Sequence, residues 1–81
     1  MAVTQKTLDQ IQNIRHVQVV DIAGGWGIRQ QLNQMGIHVG DHLEIKRSGI
    51  MKGPLHIKVH GMEVALGRGM ARKIVVSETI G

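Results

Sequence analysis

Leu55-His56-Ile57-Lys58-Val59-His60 alternates apolar and polar residues without a break and runs into Gly61. A period of two over this length marks a half-buried strand, with one face on a core and the other in water. Gly61-Met62 suits a two-residue type II′ turn, because glycine takes the positive φ at the first turn position. With that turn His60 faces Glu63, Val59 faces Val64, Lys58 faces Ala65 and Ile57 faces Leu66, so apolar residues meet on the inner face. A lone hairpin is marginal in water. The rest of the 81-residue chain must supply strands to cover it.

Composition supplies them. Ten Ile, nine Val, five Leu and five Met stand against a lone Trp26 and no Phe or Tyr, and β-branched residues favour strands. The length allows one domain, residues 1–81. Such a chain buries only about 60% of the surface its unfolded form exposes, which leaves little room for an enclosed substrate cavity. With no Cys there is neither a disulfide framework nor a thiolate metal site, which suits a reducing, cytoplasmic setting. The start, Met1-Ala2-Val3-Thr4-Gln5-Lys6, lacks the apolar run of a signal peptide. The longest aliphatic stretches, such as Ile74-Val75-Val76, fall far short of the roughly 20 residues of a membrane span.

Further elements follow along the chain. Thr7-Leu8-Asp9-Gln10 fits a capping box and predicts a short helical turn through Ile11 or Asn13. Residues 16–22 form a nearly all-apolar strand that should be covered on both faces. After Gly24-Gly25-Trp26-Gly27, the stripe Ile28, Leu32 and Met35 marks a helix, with Gly36 as its left-handed stop. Val39-Gly40-Asp41 turns the chain into a strand over 42–47, and a loop over 49–54 precedes the hairpin. Beyond Gly67-Arg68-Gly69, a turn carrying Ala71 leads to the strand Ile74-Val75-Val76. The expected fold is mainly β: five antiparallel strands in a small, partly open barrel, with one inserted helix and a short N-terminal helical turn.

Chemistry-bearing groups are sparse. His56 and His60 share a strand face but lie about 13 Å apart, too far to chelate one ion. His60 and Glu63 are the cross-strand metal candidates, yet no third or fourth ligand is visible, and an exposed His–Glu pair is the plainer account. His38 and His42 flank the Val39-Gly40-Asp41 turn, and His16 stands isolated. Neither glycine-rich segment matches a nucleotide fingerprint. Ser48, Ser77 and the threonines have no evident orienting partner, so the chain reads as no enzyme. Ten Lys and Arg against six Asp and Glu are dispersed, as on solvated strand faces. A basic RNA-binding face would use Lys46, Arg47, Lys52 and Lys58, but single-strand recognition usually adds aromatics, and only Trp26 could stack. What remains is a docking corner made of Trp26 with the helix that follows it.

Arg29, Leu32, Met35-Gly36-Ile37 and Gly40, then Gly53-Pro54-Leu55 with Ile57, Val59 and Gly61, then Val64-Ala65-Leu66, Ala71 and Ile74-Val75-Val76 together resemble the FeoA family, ferrous iron transport protein A. The resemblance covers residues 8–76. It implies an SH3-like barrel and a cytosolic accessory of the large membrane ferrous-iron permease that carries a GTP-binding domain. Basic residues that often precede the helix Leu are here Gln30 and Gln31, and a position often basic after Ala-Leu is Gly67. The same domain also ends iron-dependent repressors, whose winged-helix DNA-binding portion does not precede it here.

The resulting expectation is a non-enzymatic adaptor of ferrous iron uptake. Trp26 serves as anchor and Arg29 as the adjacent charge, Leu32 and Met35 hold the helix, and Gly36 and Gly40 set turns. The partner is the permease, with no nucleic acid and no direct membrane insertion; a homodimer stays open. No cofactor is required. The alternatives are an RNA-binding barrel and a metal-binding or iron-sensing domain that takes Fe2+ or Zn2+ weakly through His60, Glu63 and a neighbouring His.

Overall fold

A computed structural model describes residues 2–11, 16–47 and 53–80. Strand β1 (Ala2–Thr7) passes through a 3-10 turn (Leu8–Gln10) towards β2 (His16–Ile22), which is followed by helix α1 (Trp26–Gln34). Then come β3 (His42–Arg47), β4 (Leu55–Val59), β5 (Met62–Leu66), the short helix α2 (Arg68–Ala71) and β6 (Ile74–Ile80). The strands make one antiparallel sheet in the order β1-β6-β2-β3-β4-β5.

The sheet is curled. Laid flat, six strands would span about 24 Å from edge to edge at ~4.8 Å per spacing. Yet α2, which follows one edge strand, touches the 3-10 turn that follows the other. One core collects Leu8, Val17, Val19, Leu43, Ile45, Leu55, Ile57, Leu66, Ala71, Ile74 and Val76 from around the barrel. Two bulges assist the bend: the β2–β6 register shifts between Val19 and Asp21, and the β3–β4 register between Ile45 and Arg47. Such irregularities bend a strand and increase its twist.

The β2 bulge also corrects the expectation of a strand covered on both faces. Val17 and Val19 are buried, Val20 is the extra residue, and burial resumes at Ile22, so a single inner face changes parity at the bulge. A second correction concerns strand number. β1 is a sixth strand, paired with β6 from Ala2↔Ile80 to Thr7↔Val75. A third concerns the hairpin. The turn residues are His60 (φ 51°) and Gly61 (φ 78°), and two consecutive positive φ values make a type I′ turn rather than II′. Val59 therefore faces Met62, Ile57 faces Val64 and Leu55 faces Leu66. Each partner moves by two positions, which leaves the same side chains inside.

The N-terminal helical turn forms where expected. The Thr7 backbone N–H donates to Gln10 Oε1 at 3.3 Å, the reach-back half of a capping box, and the Thr7 hydroxyl donates to Asp9. Asn13 and most of the 49–54 loop lie outside the described residues.

Candidate docking surface

Helix α1 is held to the core by side chains rather than by strand pairing, and its ends are pinned. The Ala23 N–H donates to the Lys73 carbonyl at 2.6 Å, and beyond the helix the Gly40 N–H donates to the Val19 carbonyl at 2.7 Å. At the C-terminus the Gly36 N–H donates to the Asn33 carbonyl (3.0 Å) and the Ile37 N–H to the Leu32 carbonyl (2.9 Å). These are the paired bonds of a Schellman motif, with its hydrophobic contact supplied by buried Leu32 and Ile37. Gly36, at φ +88°, takes the left-handed position the motif requires.

This geometry separates the residues of the expected docking corner, Trp26, Arg29, Leu32 and Met35, into two sets. Leu32 is fully buried, and Met35 and Ile28 are partly buried against the core, so these three hold the helix down. Trp26 and Arg29 lie on the solvent side. Trp26 is the first helical residue rather than part of the preceding loop, and it is 75% exposed. The Arg29 guanidinium stands 3.4 Å from Asp21 Oδ1, which also accepts from the Ile22 backbone N–H at 2.9 Å. Both side chains of this pair are well exposed, so it orients Arg29 more than it stabilises the fold. The surface therefore consists of an indole with a positioned guanidinium one turn along.

The histidines rearrange relative to expectation. Glu63 faces Lys58, and His60 does not face it. Instead His60 Nε2 lies 3.2 Å from Asp41 Oδ1, while His38 approaches Asp41 Oδ2 with its Nδ1 at 3.4 Å and its backbone N–H at 2.8 Å. Burial pushes the Asp41 carboxyl up, but the His38 N–H together with the hydrogen bond and charge of His60 and the His38 side chain outweigh it, so Asp41 titrates below its ordinary value. Asp41 thus ties the tip of the β4–β5 hairpin to the 38–41 turn. Exposed Val39 and Met62 flank this tie, two apolar residues that stand in turn segments of the sequence and so carry no periodic signal. Among the described residues, no group of three His, Cys, Asp or Glu is arranged to hold a metal ion.

Two of the four cations expected on a basic RNA face have acidic neighbours. Lys46 Nζ lies 3.6 Å from Glu44, and Lys58 is flanked in register by Glu44 on β3 and Glu63 on β5. Arg47 ends β3, and Lys52 lies outside the described residues.

Comparisons with known proteins agree with this architecture. Residues 6–78 match the FeoA domain. A Methanocaldococcus jannaschii protein, named as a candidate Fe(2+) transport protein A, is 40% identical over 60 residues, which cover 74% of this chain and 71% of that one. The crystal structure of an iron uptake regulatory protein, FeoA, superposes with a TM-score of 0.81 at 32% identity, covering 90% of this chain and 95% of that chain. A manganese-dependent transcriptional repressor has a TM-score of 0.84 at 16% identity; the match takes in 98% of this chain but 44% of the repressor, and it shows a shared fold alone. The curled sheet described above is the small SH3-like barrel of these proteins, and the chain belongs to the FeoA family.

Proposed function

We propose that this member of an iron-uptake accessory family is a non-catalytic, cytosolic adaptor that docks onto the membrane ferrous-iron permease through the solvent face of α1. Trp26 carries the reading. A small domain that leaves its lone indole 75% exposed forgoes the burial that usually stabilises an aromatic side chain, and exposed aromatics beside an arginine are the residues most enriched in binding hot spots. Among the described residues no helix is long and apolar enough to cross a membrane.

The test is binding of the permease's GTP-binding domain to wild type and to Trp26→Ala. An anchor of this type contributes about 2 kcal/mol or more, roughly thirtyfold in Kd. Arg29→Ala should cost less, since the guanidinium is already paired with Asp21 and water in the free protein. A folded Trp26→Ala protein that binds with wild-type affinity removes α1 from the interface.

A further inference from the structure

We propose that the outer face of the β2–β3 ladder is a two-imidazole binding site for a divalent first-row transition cation, with His16 and His42 as the ligands. The inference is independent of the α1 surface.

Register brings the two residues together. His16 pairs with Glu44, Val17 with Leu43, and Gln18 with His42. Val17 and Leu43 are buried, so the flanking pairs point outward, and His16 and His42 become diagonal neighbours on one face. Diagonal cross-strand positions lie about 7–8 Å apart, with the Cβ atoms somewhat closer, within reach of long side chains. An open cavity of about 150 Å³ lies between them, lined by His16, Val17, Gln18, His42 and Ser77. His16 stands isolated in the sequence and His42 lies beside His38 there; only the β2–β3 register brings the two together.

The donor set fits a cation. Imidazole is the commonest protein ligand for such metals and binds them in its neutral form. Gln18 and Ser77, paired across β2 and β6, add an amide and a hydroxyl that can hydrogen-bond metal-bound water. The Gln18 amide nitrogen already donates to the Gly40 carbonyl at 3.3 Å, which fixes the side chain. Glu44, opposite His16, places a carboxylate on the same face. Its contact with Lys46, at 3.6 Å and partly exposed on both sides, is the kind of pair that contributes little. Two protein ligands completed by water make an open, modest-affinity site rather than a closed structural one. The histidines at Asp41 do not compete on equal terms, because both imidazoles are already engaged with one carboxylate.

Zn2+ alone is the probe. The titration follows the histidine ring resonances by NMR and the heat by calorimetry, with light scattering to report mass. The site predicts that the His16 and His42 rings shift first and saturate together at one zinc per chain while the mass stays at its zinc-free value. Losing even an outer-shell partner costs about 10–100-fold in metal affinity, so His16→Ala and His42→Ala should each weaken binding at least tenfold, while His60→Ala leaves it unchanged. Both residues are exposed, and thermal melts confirm that the variants fold. First shifts at His38 or His60, wild-type affinity in either alanine variant, zinc-driven dimerisation, or no saturation would each overturn the assignment.

Discussion

Leu32→Ala tests whether α1 is held by one side chain above all. The residue has no exposed surface and lies between partly buried Ile28 and Met35, so truncation removes buried methyl groups and leaves a cavity where the helix meets the barrel. Changes of this kind cost about 2–5 kcal/mol. A domain of 81 residues has about 4–12 kcal/mol of stability in total, so the loss is a large share of it. At about 4–8 °C per kcal/mol for this size, the melting temperature should fall by at least about 8 °C. Thermal unfolding followed by circular dichroism reads this directly. Leu32→Met, which conserves volume, should cost less than about 1.5 kcal/mol and serves as the matched control. A melting temperature for Leu32→Ala within the error of wild type would refute the placement of α1 on the core.

The remaining expectations concern turns and surface. Gly36→Ala should destabilise by about 1–2 kcal/mol, because the position sits at φ +88° with nothing within 4 Å of an added Cβ; unchanged melting would mean that the Schellman turn is not formed. Asp41 titrates below its ordinary 3.8, so its contribution to stability is complete above that value and disappears as pH falls through the lower, folded pKa. The stability gap between wild type and Asp41→Asn should therefore narrow as pH falls below 3.8 through the lower, folded value, and a gap that stays constant in urea titrations through that fall would discount the two-histidine tie. Trp26→Ala should leave the melting temperature nearly unchanged, within about 0.5 kcal/mol of stability, and a marked drop would place the indole in the fold rather than at an interface.

Much of the barrel was legible because several levels of pattern agreed. The alternation at 55–60, the capping residues at Thr7 and Gln10, and the glycine after Met35 each state a local geometry, and the observed elements match them. What escaped has physical reasons. β1 is an edge strand paired on one side only, and its Gln5 and Lys6 face solvent, so it shows no apolar alternation. The hairpin turn was misplaced because the II′ rule asks for glycine first, whereas here His60 accepts the left-handed region and glycine comes second; histidine is among the few non-glycine residues enriched there. Bulges leave no periodic trace, so Val20 read as a second buried face. For the candidate docking surface, Trp26 and Arg29 were visible as an amphipathic corner, but whether Leu32 and Met35 faced the partner or the core depended on the helix phase. The Asp41 tie and the His16–His42 diagonal needed register, which no local pattern encodes.

The attachment of α1 has a consequence for how the molecule opens. Strands share ladders of amide hydrogen bonds, whereas the helical excursion is closed at its base by the Ala23–Lys73, Gly40–Val19 and Val19–Asp41 backbone bonds and otherwise rests on a few apolar side chains and the exposed Arg29–Asp21 pair. Such a segment can detach as a unit without unzipping the sheet, at a free energy below that of global unfolding. Amides of residues 28–34 should therefore exchange with solvent deuterium ahead of those in β2 and β6, and the surface bearing Trp26 would be the first part of the protein to yield under stress.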